Sequence, residues 1–260
     1  MNDKNLLLVD AGNTNIKFGI AVGDREPVSY ALSTAQLGTS DSLGFAVLEM
    51  CRLAGVTPES LEAWVVSSVV PGADEPMRVA ASRYCGCQVF FANKDLPIPM
   101  ENRYERPQEV GADRLVSAYG AVRLFDSDGF IVIDFGTATT FDLVKGNAYL
   151  GGLICPGVLS SARGLAAGTA KLPQADLSVS PDVINVGRTT AQSLSQGLLH
   201  GFASMTEGLC ARLSKQFDTP PKVVATGGFA GRIARAARCV DVVRPDLLLE
   251  GLRLAYDANK

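Results

Sequence analysis

A short apolar run that ends in an aspartate and a glycine turn occurs twice in this chain. Leu6-Leu7-Leu8-Val9 leads into Asp10-Ala11-Gly12-Asn13-Thr14, and Phe130-Ile131-Val132-Ile133 leads into Asp134-Phe135-Gly136-Thr137-Ala138-Thr139-Thr140. Both runs are too short for helices, and the second is rich in strand-favouring residues, so each reads as a buried strand that delivers a carboxylate to a tight turn. The segments after the two turns are also alike. Strands are expected over 16–22 and 28–31 after the first, and over 139–144 and 147–152 after the second, with helices next in both cases. The two signatures lie nearly half the chain apart, close to the size of a domain. The plan is therefore duplicated α/β, with one domain over residues 1–125 and another over 126–260. Two mixed sheets facing each other across a cleft are the simplest arrangement, with the last helix, from about Pro245, in a position to pack back on the first domain.

The 260 residues, 47% of them hydrophobic and 20% charged, suffice for a substantial core. A net charge of -3 with no run of Lys or Arg leaves no electrostatic footprint for nucleic acid, which favours small-molecule chemistry. Apolar stretches such as Trp64-Val65-Val66 fall far below the roughly 20 residues of a membrane helix. Leu6 to Val9 is likewise too short for the core of a signal peptide. The six cysteines are scattered and, without an export signal, read as reduced and mostly buried thiols, so a cytoplasmic location is expected. Cys85-Gly86-Cys87 is a close pair, but a zinc site would need two more soft ligands and the chain has one histidine. That residue, His200, sits among Leu198, Leu199 and Phe202 with helical spacing. It reads as a satisfied helix histidine rather than a member of a Ser-His-Asp triad.

Between the signatures, the pattern predicts a helix from about Ser42 to Leu53 with Asp41 and Ser42 as candidate caps. A strand from Val65 to Val70 stopped by Pro71-Gly72, a helix near Glu75 to Tyr84 and a strand from Gln88 to Phe91 come next. From Asn93 to Gly111, three prolines (Pro97, Pro99 and Pro107) and several charges predict a long irregular loop, a kind that tends to be functional. It ends at Gly111-Ala112-Asp113-Arg114, before a helix over Leu115 to Leu124. In the second half, helices are expected around Ser160 to Ala167 and from Thr190 to Leu213. A strand from Lys222 to Ala225 then meets Thr226-Gly227-Gly228, and a strand near Val240 to Val243 precedes the last helix.

Phosphoryl transfer needs backbone amides that approach oxygen closely, polar donors, and a carboxylate to hold a charge-neutralising cation. Both turns carry all three. Gly12 and Gly136 permit the close approach; Asn13, Thr14, Thr137, Thr139 and Thr140 offer donors; Asp10 and Asp134 offer carboxylates. Lys17 is either a phosphate counter-charge or an ordinary surface lysine. A single Asp-x-Gly-x-Thr is most simply an Asx turn in a hairpin, whereas two at matching places in a duplicated plan point to a phosphate site. The common P-loop and dinucleotide fingerprints do not occur. Asp113 has two readings that the residues alone leave open. It is a helix N-terminal carboxylate, stabilising by about 1 kcal/mol, or a general base for a substrate hydroxyl with Arg114 holding a carboxylate or phosphate.

Taken in order, these residues resemble the type III pantothenate kinases, within the superfamily that joins acetate and sugar kinases, heat-shock ATPases and actin. The match runs almost end to end. It is carried by Asp10-Ala11-Gly12-Asn13-Thr14, by Tyr104-Glu105-Arg106-Pro107 leading into Gly111-Ala112-Asp113-Arg114, and by Asp134-Phe135-Gly136-Thr137-Ala138-Thr139-Thr140 with Asp142. Gly151-Gly152-Leu153-Ile154-Cys155-Pro156-Gly157 and Thr226-Gly227-Gly228 complete it. The paired Asp-x-Gly elements mark only the superfamily, while the Tyr104 loop, Gly-x-Asp-Arg and Gly-Gly-x-Ile-x-Pro-Gly in this order mark the kinase type.

The resemblance implies two actin-like (ribonuclease H-like) α/β domains and ATP-dependent phosphorylation of pantothenate to 4′-phosphopantothenate, the first step towards coenzyme A. It makes Asp113 the base, and Tyr104, Gly111, Ala112 and Arg114 the pantothenate contacts. Asp10 would govern magnesium and the phosphates, with Ala11, Gly12, Asn13, Thr14, Asn15, Ile16 and Lys17 around them, and Gly227 and Gly228 would also touch ATP. Asp134 matches the ligand of a monovalent cation, potassium or ammonium, with Thr137 an ATP contact beside it. Gly187-Arg188-Thr189-Thr190 resembles an element that closes the substrate pocket through its last Thr, Thr190; Thr189 stands where many relatives have Asn, which leaves the choice between the two open. Family members are homodimers, and the segment from Thr190 to Leu213 has enough apolar positions for such a surface, although a buried helix has the same pattern. A phosphohydrolase of the same superfamily, or an ATP-binding regulator without turnover, would share both hairpins.

Overall fold

The computed structural model describes residues 5–23, 25–167 and 179–260, and the chain divides into two compact units. The first comprises Met1–Leu124 with Asp246–Lys260, the second Phe125–Pro245.

In the first unit, β1 (Asn5–Ala11), β2 (Asn15–Val22), β3 (Val28–Ser33), β4 (Leu61–Ser68) and β5 (Gln88–Phe91) form one sheet in the order β3-β2-β1-β4-β5. β1, β2 and β3 pair antiparallel, while β1, β4 and β5 pair parallel. Strand alternation sorts the side chains between two faces. Leu7 and Val9 of β1, Ile16 and Phe18 of β2, and Trp64 and Val66 of β4 share a core with Leu43, Val47 and Met50 of α1 (Ser40–Ala54) and Met77 of α2 (Asp74–Ala80). Complete burial of one such side chain contributes about 1.5–3 kcal/mol. Asp10, Lys17 and Ser67 have the opposite parity and leave the sheet on its other face. α3 (Ala112–Leu124) and α7 (Leu247–Ala258) pack against each other, and α7 also packs on β1 and β4. Two glycines allow that helix pair to approach closely: a Cβ on Gly251 would lie 2.4 Å from the Val116 carbonyl oxygen, and one on Gly120 2.9 Å from that of Leu247.

Several boundaries differ from expectation for identifiable reasons. Thr39 caps α1, accepting the Ser42 N–H at 3.2 Å while Ser42 Oγ accepts the Thr39 N–H at 3.3 Å. Asp41, expected as a cap, instead accepts from Arg83 and the Tyr84 hydroxyl, each at 2.7 Å. β4 starts earlier than expected because it pairs with β1 from Asn5 onward. α2 gives way to a wide helical turn, Ala81–Cys85, that stops at Gly86 with φ 67°. The proline-rich stretch contains the short β6 (Glu101–Asn102) and a single turn at Pro107–Glu109. α3 begins at Ala112, earlier than expected, which puts Asp113 in its first turn.

The second unit contains β7 (Gly129–Phe135), β8 (Ala138–Lys145), β9 (Ala148–Pro156), β10 (Lys222–Thr226) and β11 (Val242–Val243), ordered β11-β10-β7-β8-β9. With β7 set on β1, this is the order of the first unit, so the duplicated plan holds at the level of topology. Ile131, Ile133 and Phe135 share a core with Leu199, Phe202 and Ala203 of α5 (Thr190–Leu213) and Ile233 of α6 (Ala230–Ala236); α4 (Val158–Ala167) comes after β9. β11 is shorter than expected because Asp241 clamps the sheet edge, its N–H donating to the Val223 carbonyl at 3.0 Å and its carboxylate accepting the Val223 N–H at 2.7 Å. His200 lies within α5 but is not satisfied: its Nε2 is shielded from solvent and has no hydrogen-bond partner among the described residues. Among the described residues no helix is long and apolar enough to cross a membrane.

Candidate active site

The first glycine turn is closed by the Gly12 N–H, which donates to the Asn15 carbonyl at 3.1 Å. Thr34 holds it from outside, its hydroxyl donating to the Gly12 carbonyl at 2.6 Å and its N–H to the Thr14 carbonyl at 3.0 Å. Asn13 and Asn15 are exposed, whereas Ala11 and Ile16 are buried in the core, so the latter two present only backbone to a ligand. In the sheet, Asp10 stands between Lys17 of β2 and Ser67 of β4, all three on one face. The Lys17 ammonium also lies 2.8 Å from Asp246 Oδ1, just ahead of α7.

Asp113 occupies the first turn of α3, and its Oδ1 accepts the Arg114 N–H at 2.9 Å. Gly111 makes room for this carboxylate, since a Cβ there would stand 2.3 Å from Asp113 Oδ1. Burial raises the Asp113 carboxyl above its ordinary value, against the Arg114 N–H bond and the nearby Arg114 charge, which lower it. An elevated carboxylate is suited to accepting a proton near neutral pH. The Tyr104 loop ahead of it is ordered by Asn102, whose Oδ1 accepts the Tyr104 N–H at 3.1 Å and whose Nδ2 donates to the Pro107 carbonyl at 3.4 Å. Asn93, Ile98, Met100, Asn102, Gln108 and Leu115 line a cavity of about 280 Å³ beside it.

In the second unit, the Gly136 N–H closes the turn onto the Ala138 carbonyl at 3.0 Å. Asp134 stands between Thr140 of β8 and Thr226 of β10, the places that Lys17 and Ser67 hold around Asp10. Gly227, at φ 91°, lies directly against the Asp134 carboxylate, and Gly228 is exposed after it. Gly157 packs on the turn so tightly that a Cβ would sit 2.1 Å from the Thr137 carbonyl oxygen, which also accepts the Ser160 hydroxyl at 2.6 Å. Thr137 is exposed, whereas Thr139 is fully buried, so its hydroxyl is withheld from solvent. Asp142 accepts from the Tyr149 hydroxyl at 2.7 Å and the Thr140 hydroxyl at 3.1 Å. At the start of α5, Thr189 is the cap, its Oγ1 accepting the Gln192 N–H at 3.2 Å, and Thr190 stands exposed beside it.

The donor sets bear on which cations fit. Among the described residues no group of three or more His, Cys, Asp or Glu could hold a metal ion. A divalent ion here would therefore take most of its ligands from phosphate and water, the habit of magnesium at nucleotide sites. Around Asp134 the neighbours in register carry hydroxyls, and the absent Gly227 side chain leaves a cradle a Cβ would fill.

Thr34, Asn102 and Asp246 escaped the sequence reading. Thr34 and Asn102 lie in segments that read as connections, and Asp246 read as no more than the start of the last helix.

A family profile for type III pantothenate kinases matches residues 6–212. The type III pantothenate kinase of Oleidesulfovibrio alaskensis is 57% identical over 251 residues, covering 96% of this chain and 95% of that protein. The type III pantothenate kinase of Myxococcus xanthus is 40% identical over 256 residues, covering 98% of each. Solved structures share the fold at low identity. A conserved putative Baf family transcriptional activator from Campylobacter jejuni aligns with a TM-score of 0.61 at 18% identity, over 97% of this chain and 98% of that one. A ROK hexokinase from Thermus thermophilus aligns with a TM-score of 0.52 at 19% identity, over 98% and 99%.

Proposed function

The chain belongs to the type III pantothenate kinase family, and on that premise we propose how its residues divide the phosphorylation of pantothenate by ATP on the way to coenzyme A. Asp113 takes the proton from the primary hydroxyl of pantothenate. The freed oxygen attacks the γ-phosphorus in line, the bond from that phosphorus to the β-phosphate bridging oxygen breaks, and ADP leaves. The observation that carries this assignment is the Asp113 carboxyl itself, raised by burial and given room by Gly111.

Arg114 pairs with the pantothenate carboxylate as a planar, fixed-charge partner. Tyr104, Gly111 and Ala112 line the same end; of the pair at the start of α5, Thr190 is the substrate contact, since Thr189 is engaged as the cap of that helix. Gly12, Asn13, Thr14 and Asn15 face the ATP phosphates, with Ala11 and Ile16 contributing backbone, and Lys17 adds a positive charge. Asp10 holds magnesium, which when bound neutralises charge on the phosphates. Asp134 holds a monovalent cation, potassium or ammonium, with Thr137, Gly227 and Gly228 against the nucleotide. The enzyme works in the cytoplasm, and it does so as a homodimer; what supports the second part is an association surface offered by Val183, Ile184 and Val186, apolar and strongly exposed just ahead of α5.

A coupled assay with ATP, magnesium, potassium and pantothenate tests this, repeated with Asp113→Asn. A wild type inactive on pantothenate, or an Asn variant near full rate, overturns it; phosphate release without pantothenate would instead indicate a phosphohydrolase.

A further inference from the structure

Asp246 stands at the cap position of α7, where an aspartate ordinarily accepts a helix N–H. Its side chain makes no such bond. Its Oδ1 is shielded from solvent and lies 2.8 Å from the Lys17 ammonium, so the carboxylate is turned away from its own helix and towards β2. Both side chains are about a third exposed, at 32% and 30%, and ion pairs of that exposure add little to stability. The pair does constrain the position of one long side chain. Lys17 is directly opposite Asp10 in the sheet, on the same face.

A lysine has extensive rotamer freedom, and one that must find a phosphate loses that freedom when the ligand binds. Anchored in advance, it presents its charge without that loss. The anchor is itself rigid, because Leu247, Leu249 and Leu252 fix the adjoining helix in the core. We propose that Asp246 is a positioning residue for ATP: it holds the Lys17 ammonium on the Asp10 face so that the phosphates meet an ordered charge. This rests on reading the Asp10 turn as the ATP site.

Asp246→Asn keeps the size of the side chain and removes its charge. The Michaelis constant for ATP is expected to rise about tenfold, with kcat within about twofold and the constant for pantothenate unchanged. Asp246→Glu should recover ATP affinity to within about threefold. In a Lys17→Met background, Asp246→Asn should add nothing further, because the group it positions is gone. Binding of a fluorescent ATP analogue without pantothenate should rank the variants in the same order. With an active wild type, an unchanged or lower ATP constant in Asp246→Asn overturns the proposal and leaves the kinase reading intact. So does an effect that adds fully to Lys17→Met, or a lower melting temperature with unaltered kinetics. A wild type that binds the analogue without phosphorylating pantothenate overturns the kinase reading instead, and the binding order still decides the role of Asp246.

Discussion

A Cβ on Gly227 would stand 2.3 Å from Asp134 Oδ1, so the carboxylate occupies the space a side chain would need. The same Cβ would meet the Phe135 backbone at 2.7 Å, and the residue has φ 91°, where L side chains are strained. The glycine turn after β10 and the aspartate turn after β7 are thus fitted to each other.

Gly227→Ala should therefore disturb both ligands assigned to this place. We expect a loss of about 1–3 kcal/mol in stability by urea denaturation. The Michaelis constant for ATP should rise and the response to potassium weaken. In the wild type, exchange of potassium for sodium should lower the rate, and indifference to the ion would remove the cation role of Asp134.

For Asp113→Asn, activity and stability should part company. Loss of a general base is expected to lower kcat by roughly 10²–10⁴-fold. The Asp113 carboxyl is raised in the fold by burial, so its ionised form costs the native state free energy at neutral pH. The stability linked to its protonated form is present below the unfolded value and lost as pH rises through the folded one. The Asn variant should then be at least as stable as wild type at pH 7 in a thermal melt.

The same shift fixes the acid side of the pH profile. A base must be ionised to act, so kcat/KM should fall as pH drops through the raised Asp113 value, placing that limb above 3.8. A limb at or below the ordinary aspartate value would argue for another base.

Gly111→Ala and Gly251→Ala make a useful contrast. At Gly111 the added methyl meets only the end of the Asp113 side chain, which can swing away; kcat should fall by about tenfold or more with little change in melting temperature. At Gly251 it meets the Val116 backbone 2.4 Å away, which cannot. There we expect a loss of about 1–3 kcal/mol as α3 and α7 are forced apart. Equal effects at the two sites would contradict this picture.

The elements that were legible in the sequence are those whose causes are local. Asp10-Ala11-Gly12 and Asp134-Phe135-Gly136 each announce a strand and its turn within a few residues, and the proline-rich loop before Asp113 also reads directly. Thr39 was missed as a cap because Asp41, a better capping residue nearby, is engaged by Arg83 and Tyr84 from a distant part of the chain. Asp246 could not be recognised beside Lys17 for a similar reason: only the packing of α7 onto β1 brings them together. The burial that raises Asp113 is equally a property of the finished fold, which is why a cap and a base could not be told apart beforehand.

The first unit combines residues from both ends of the chain, while the second is a single stretch, Phe125–Pro245. During synthesis from the N-terminus, the second unit is therefore fully translated while the first still lacks α7. Until that helix emerges, the side of β1 that carries Asp10 has no α7 to cover it, and Lys17 has no Asp246 to meet. β1 thus waits for α7, and the sheet face that carries Asp10 is completed only after the whole of the second unit has been made.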